Sequence, residues 1–221
     1  MDDYLNIALP KGRLGENVYS LFASCGYECA GVMDDSRRLV FENPEKKIRY
    51  FWVKPWDVGV YVERGAADIG VAGKDTIIET APDVYEISDL RLGKCRMASA
   101  APEGFTDDGQ AVLRVATKYP NIARRYYSSL GREIDIVKLS GSIEIAPLLG
   151  LTDVIVDIVE TGRTLRENGL RVTDVISEIS ARLIVNRASY RFRGERIREL
   201  AKSLSEKIPE SDLKETASCR S

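Results

Sequence analysis

Apolar and polar positions along the chain fall into short blocks that switch between a two-residue and a 3.6-residue period. "LNIAL" (Leu5–Leu9) has the continuous apolar character of a buried strand, and Leu14, Val18, Leu21, Phe22 and Cys25 then mark one face of a helix. "RLVF" and "IRYFWV" read as strands, and "VGVYVERG" as a helix closed by Gly65. "DIGVAG" returns to strand, followed by a short helix from Lys74. Around Tyr85 the pattern changes, and "VYEISDLRLGKCRMASAA" is one extended stretch broken only by a glycine. A second series follows: strand "LRVATK", helix "NIARRYYSSL", strand "IDIVKL", strand "VIVDIVE" and a short helix closed by Asn168-Gly169. Another extended stretch, "LRVTDVISEISARLIVN", precedes a last helix over about Ser189–Lys207.

Short strands alternating with amphipathic helices predict an α/β protein with mixed, mostly parallel sheets. The two long extended stretches read as paired crossovers between two lobes. Lobe I is then 1–90 plus 177–221, and lobe II is 91–176; a single sheet without lobes is the alternative arrangement. From Pro209 onward "PESDLKETASCRS" is polar and predicts a disordered tail.

Composition narrows the chemistry. The 221 residues are 44% hydrophobic and 30% charged, as in an ordinary soluble globular protein. A net charge of -2 exerts no global pull toward nucleic acid or membrane, so any anion site must be local. No apolar run approaches the ~20 residues needed to cross a bilayer. "MDDYLNIALPKGRL" carries acids where a signal peptide needs positive charge, so a cytoplasmic location is expected. There is no histidine, which excludes a Cys/His zinc site and the Ser-His and Cys-His nucleophile systems. Cys25 and Cys29 sit i, i+4 on the predicted helix, far in sequence from Cys95 and Cys219; reduced, structural thiols are expected. Chemistry here must run on Arg, Lys, Asp, Glu and bound ions.

The segment "DVIVDIVETGRTLRENGL" concentrates such groups. A strand ends on Glu160, and Gly162 allows consecutive N–H groups to converge on one anion as a helix begins. Thr161 and Thr164 add hydroxyl donors. Asp157 and Glu160 suit a vicinal diol better than a phosphate, so the pattern points to ribose hydroxyls beside a 5-phosphate. The plain alternative is Thr161 as an N-cap and Gly162 as a turn residue; the position of both acids at a strand's C-terminal end favours a site. "LPKGRL" is another strand–Gly–helix junction, carrying Lys11 and Arg13, two cations suited to a polyphosphate. In "DDSRRL", Arg37 and Arg38 precede a strand, where alternation would send only one toward a site. "KLSGSIEIAPLLG" places Glu144 in the first turn of a short helix and reads equally as a cap or a ligand loop. "ADIGVAGKD" lacks the spacing of a dinucleotide-binding unit. "RRYYSSL" reads as a half-buried surface helix, not a nucleic-acid platform.

Taken together, "ALPKGRL", "SRRLVF", "VERGAADIGVAGKD", "VATKYPNIARRYY", "KLSGSIEIAPLLGLTDVIVDIVETGRTLRENGL" and "SARLIVN" resemble the ATP phosphoribosyltransferase family, in the right order from about Leu5 to Asn186. The resemblance is to the short form, without a regulatory third domain. It implies a pair of lobes like type II periplasmic binding proteins and the first step of histidine biosynthesis, transfer of a phosphoribosyl group to N1 of ATP. It further implies that Thr161, Gly162, Arg163, Thr164 and Leu165 hold the 5-phosphate of phosphoribosyl pyrophosphate, while Asp157 and Glu160 take the ribose hydroxyls. Mg²⁺, Lys11 and Arg13 would neutralise the leaving pyrophosphate, Arg37 and Arg38 would reach the phosphates from the other lobe, and Glu144 would lie near the sugar or the base. The implied partner is a regulatory subunit related to histidyl-tRNA synthetase, in a hetero-octamer built on a homodimer core. Two positions depart from the family pattern: Lys54 replaces an expected arginine, and Gly59 an expected proline that would firm a helix start.

Overall fold

The computed structural model of the chain describes residues 3–34 and 37–208. Its first elements are β1 (Leu5–Pro10), α1 (Arg13–Ser24), β2 (Val40–Asn43), β3 (Ile48–Val53), α2 (Val58–Glu63), β4 (Ile69–Gly73), α3 (Lys74–Thr80) and β5 (Tyr85–Asp89). Then come β6 (Cys95–Pro102), β7 (Leu113–Thr117), α4 (Pro120–Ser129), β8 (Ile134–Lys138), α5 (Ile145–Leu148) and β9 (Val154–Val159). The last are α6 (Arg163–Glu167), β10 (Leu170–Ile179), β11 (Ala181–Val185) and α7 (Arg187–Lys207).

The chain separates into two compact units. One comprises 1–73, 82–92 and 180–221, the other 74–81 and 93–179. In the first, six strands run in the order β2-β3-β1-β4-β11-β5. Leu5, Ile7 and Leu9 of β1 are fully enclosed, and Val18 and Phe22 of α1 pack into the same core with Ile197 and Leu200 of α7. A 3-10 turn at Pro55–Asp57 leads into α2; Pro55 already fixes the turn's opening, so the helix forms with Gly59 buried inside it.

In the second unit five strands run β10-β6-β9-β7-β8. Ala98, Ala116, Ile155, Val159, Leu165 and Leu170 form its core. The segment α3 lies within the range expected for the first lobe, yet it groups with this unit. Hydrogen bonds explain why. The Tyr119 O–H donates to Asp75 at 3.0 Å, and the Glu79 carboxylate accepts the N–H groups of Asn121 and Ile122 at 3.0 and 2.9 Å. A carboxylate at the start of α4 satisfies amides that the helix itself leaves open.

Both sheets are mixed, as expected, but among the described residues parallel neighbours make up four of the nine strand pairings (β1–β3, β1–β4, β7–β8 and β7–β9). The expected parallel majority fails for a simple reason. The crossover stretches return antiparallel, β10 on β6 and β11 on β5, and β2–β3 is a hairpin. The first crossover is interrupted at two left-handed residues, Arg91 (φ 53°) and Gly93 (φ 60°), rather than at the glycine alone.

Cys29 does not share a helix with Cys25. The helix α1 ends at Ser24, Gly26 turns the chain at φ 84°, and Cys29 is buried with its backbone N–H and C=O bonded to the Tyr19 hydroxyl. Cys25, Cys29 and Cys95 are free thiols; Cys219 and the tail from Pro209 lie outside the described residues. On α4, Arg124 and Arg125 are exposed while Tyr127 is buried against Ser99, hydroxyl to hydroxyl at 2.9 Å. Among the described residues no helix is long and apolar enough to cross a membrane.

Candidate active site

The segment that closes β9 makes the more structured of two candidate surfaces. Gly162 adopts φ 70°, ψ 11° and stands as the N-cap of α6. A left-handed backbone there is costly for any residue with a Cβ, and one built at this position would lie 3.3 Å from Arg166 Nη1. Thr161 is not the cap; its hydroxyl accepts the Arg163 N–H at a long 3.3 Å. The first bond of the helix is Arg166 N–H to Gly162 C=O at 3.2 Å. Among the described residues none accepts from the Thr164 and Leu165 N–H groups, the open donors of a helix start. Leu165 is 5% exposed and packs in the unit's core, so it offers the site only its main chain and anchors the loop with its side chain. The Arg163 guanidinium pairs with Glu167 at 2.7 Å on the exposed face.

A cavity of about 280 Å³ gathers Glu144 and the whole 157–165 segment. All the residues expected at the sugar phosphate therefore share one space: Asp157, Glu160, Thr161, Gly162, Arg163, Thr164 and Leu165. Glu144 is the N-cap of α5, yet its side chain makes no capping hydrogen bond, which argues against the purely structural reading of that motif. Burial raises the Asp157 pKa above the usual carboxylate value, with Glu144 and Asp75 adding to the rise. The Ile158 N–H, 2.8 Å from Asp157 Oδ1, and Lys118 oppose it. The result is an electron-rich acceptor beside main-chain donors, a combination suited to sugar hydroxyls next to a phosphate.

In the first unit, β1 ends at Pro10 and Gly12 turns into α1 at φ 100°, ψ −173°, backbone angles open to glycine. A cavity of about 740 Å³ is lined there by Lys11, Gly12, Glu16, Arg37, Arg38 and Trp52, among others. Arg13 opens α1 and is exposed, but it is not part of that lining. Because β2 begins only at Val40, strand alternation does not govern Arg37 and Arg38, and both line the cavity. Arg38 donates from Nε to the Val40 carbonyl at 2.7 Å, and its guanidinium lies 5.3 Å from the centre of the Phe41 ring. Lys54 is exposed ahead of the Pro55 turn and does not line the cavity.

Asp75, Lys118 and Tyr119, to which the sequence assigns no role, lie in the same unit as this cavity, and Asp75 and Lys118 act on the Asp157 carboxyl. Asp75 belongs to "AGKD", which fails as a dinucleotide motif and enters the family resemblance without a role for Asp75; its position just past a strand's C-terminal end is the signal that could have found it.

The sequence profile described as ATP phosphoribosyltransferase matches residues 54–206. An ATP phosphoribosyltransferase of Brachyspira hyodysenteriae is 55% identical over 203 residues, covering 91% of this chain and 98% of the relative. Among solved structures, the ATP phosphoribosyl transferase (HisG:HisZ) complex from Thermotoga maritima matches with a TM-score of 0.80 at 37% identity, covering 91% of this chain and 97% of that one. The periplasmic aliphatic sulphonate binding protein SsuA from Escherichia coli shares the fold alone, with a TM-score of 0.60 at 15% identity, over 93% of this chain and 68% of that one. With more than half its length matched by the profile and a relative identical at over half the aligned positions, the chain belongs to the ATP phosphoribosyltransferase family.

Proposed function

We propose that this chain transfers the phosphoribosyl group of phosphoribosyl pyrophosphate to N1 of ATP, giving 1-(5-phosphoribosyl)-ATP and pyrophosphate, the first step of histidine biosynthesis. The observation that carries the site assignment is the single cavity joining the left-handed Gly162 turn to Asp157, Glu160 and Glu144. In this reading the amides of 161–165 and the Thr161 and Thr164 hydroxyls hold the 5-phosphate. Asp157 and Glu160 accept from the ribose hydroxyls, and Glu144 borders the reacting sugar or the base. Lys11, Arg13, Arg37 and Arg38 take the polyphosphate charge; the lining of the first-unit cavity by three of them supports that role.

The chemistry asks little of acid–base groups. Adenine N1 presents a lone pair with no proton to remove, so a chain without histidine is adequate. N1 forms its bond to C1 of the ribose as the C1–oxygen bond to pyrophosphate breaks, and the electron pair leaves with pyrophosphate. Positioning the two substrates supplies up to ~7–11 kcal/mol. A pre-aimed charged donor at the departing phosphate adds about 3–4 kcal/mol. Among the described residues no three acidic or thiol side chains come together to hold a metal ion. Mg²⁺ bound with the substrate would offset the charge of its phosphates, alongside Lys11, Arg13, Arg37 and Arg38.

Similarity to a chain from a two-component complex supports a separate regulatory subunit as partner. A hetero-octamer around a homodimer core, with the regulatory subunit related to histidyl-tRNA synthetase, completes the proposal, together with a cytoplasmic location. The division of labour assigned to 1–90 plus 177–221 and to 91–176 is part of the same reading, with α3 taken into the second by its grouping.

Incubating the chain and the regulatory subunit with ATP, phosphoribosyl pyrophosphate and Mg²⁺ tests it. A rise in absorbance near the adenine band is expected. No change with ATP, alongside turnover of a free purine or pyrimidine, would reassign the enzyme to a sibling transfer; no turnover at all would leave a binding module.

A further inference from the structure

A second cavity of the second unit, about 460 Å³, shares no residue with the one around 157–165. Its size falls in the range of small-molecule pockets, roughly 300–1,000 Å³. Phe105, Leu113, Leu130 and Val154 give it an apolar wall. Ser99 and Tyr127 line it too, 1% and 6% exposed, with their hydroxyls 2.9 Å apart. Two hydroxyls bring two protons, and the bond between them uses one. Among the described residues no acceptor meets the other. Alanine and phenylalanine would fill the same space without that cost, so packing alone does not account for the pair.

The strand β10 is bent to suit this cavity. It pairs Val172 with Ala100 and Asp174 with Ser99, which leaves Thr173 as an extra residue in the ladder. In a regular strand 172 and 174 would share a face. Here Val172 packs on the apolar core beside Ala100, while the bulge carries Asp174 over to the face of Ser99. Thr173 and Asp174 both line the cavity as a result. Burial, with the Asp174 charge next to it, raises the neighbouring Tyr126 phenol to about 12. Arg171 lines the cavity from the same strand, and its Nη2 donates to the Phe105 carbonyl at 3.1 Å. Its other N–H groups meet no acceptor among the described residues. Arg132 differs, because its Nε and Nη2 are held by Asp107 at 2.9 and 2.8 Å; that pair is wall, not ligand-binding group.

We propose that this cavity binds a free α-amino acid: Asp174 takes the ammonium, Arg171 the carboxylate, and the Ser99–Tyr127 pair gives its second proton to an acceptor at the end of the side chain. The charges decide the class. A plain anion meets Asp174 and a plain cation meets Arg171, so the ligand that satisfies both is a zwitterion. The apolar wall calls for a side chain with a hydrocarbon stem, and the buried hydroxyls reward one that ends in a lone pair over one that ends in a methyl group. The site stands apart from the phosphoribosyl reading of the 157–165 cavity and does not depend on it.

The test adds each proteinogenic L-amino acid singly to the full chain in thermal melts and titrates those that stabilise it by calorimetry. A binder at about 100-fold over its Kd raises Tm by about 5 °C. The expected binders carry a nitrogen or oxygen acceptor in the side chain and bind more tightly than leucine, and their N-acetyl and methyl ester forms do not bind. Asp174→Asn and Arg171→Gln each weaken binding about tenfold or more. Both positions are exposed on an edge strand, so either variant serves if the other does not fold. Affinity for phosphoribosyl pyrophosphate stays at the wild-type value in both. The proposal is overturned if none of the amino acids stabilises the chain, if the blocked forms bind equally well, or if affinity survives in the folded variants. A parallel loss of phosphoribosyl pyrophosphate binding would trace the effect to a general disturbance and overturn it as well.

Discussion

As proposed, the two candidate surfaces would meet anions by opposite means. The first unit uses long side chains, Lys11, Arg37 and Arg38, exposed on loops around a wide cavity of about 740 Å³. The second would use main-chain amides set by a left-handed glycine, in a cavity of about 280 Å³ where Asp157 is half-buried and Glu160 exposed. Side-chain charges can be removed without disturbing a fold, and they suit a group that must depart. Amides cannot be deleted by mutation and suit a group that stays bound throughout. The contrast teaches where each kind of substitution should register: in turnover for the first surface, in affinity and stability for the second.

The largest expected effect is on the first surface. Arg37→Ala should lower kcat by about two orders of magnitude or more, while Tm shifts by no more than about 1 °C because the residue is exposed. Steady-state rates at saturating substrates with the regulatory subunit decide it; a wild-type kcat would break the comparison on its catalytic side.

Next is Gly162→Ala, which places a Cβ at φ 70° and 3.3 Å from Arg166 Nη1. It should cost about 1–2 kcal/mol of stability and raise KM for phosphoribosyl pyrophosphate about tenfold, with kcat changed less. Denaturant melts and kinetics read both; an unaltered KM would mean that the amides are not the phosphate's ligands.

A smaller effect concerns stability against pH. The Asp75 pKa is raised by burial, so its favourable contribution is present below the unfolded carboxylate value and is lost as pH rises through the folded value. At neutral pH the ionised acid destabilises the fold. Asp75→Asn should therefore raise Tm near neutrality, a gain that vanishes as pH falls below the unfolded carboxylate value. Asp153, lowered by its hydrogen bond from Arg114, has the opposite sign: its contribution is present at neutrality and is lost as pH falls through its lowered value. Thermal melts of both Asn variants across pH should diverge in opposite directions, and parallel curves would contradict the electrostatic picture.

The least effect is expected for Thr164→Val, which removes one exposed hydroxyl donor. KM should rise about fivefold, near 1 kcal/mol, with Tm unmoved. An effect larger than that of Gly162→Ala would show that hydroxyls, not amides, dominate the grip.

Much of this was legible in the chain. The strand and helix periods located β1, α1, β3 and β9 because each has one simple apolar face or run. The Gly162 turn was visible because acids, threonines and glycine cluster at a strand's end. Strand direction was not legible, since an extended apolar stretch such as β10 reads the same whichever way its neighbour runs. Alternation does not apply to Arg37 and Arg38 because the strand starts later than its apolar residues suggest; Leu39 is 47% exposed and outside it. Asp75 was missed because its meaning comes from Tyr119, 44 residues away, and no local pattern encodes that hydrogen bond.

The path of the backbone between the units bears on how the molecule is made. It passes from one to the other after residues 73, 81, 92 and 179, so neither unit is a continuous piece of chain. Synthesis from the N-terminus delivers β10 before β11, and β11 is the strand that joins β4 to β5. The unit begun first therefore waits, its sheet unfinished, until the one begun second has all its strands. A nascent chain that has left the ribosome through about residue 179 would carry every strand of the second unit and lack β11 of the first, and limited proteolysis of such chains would cut the first unit's residues first.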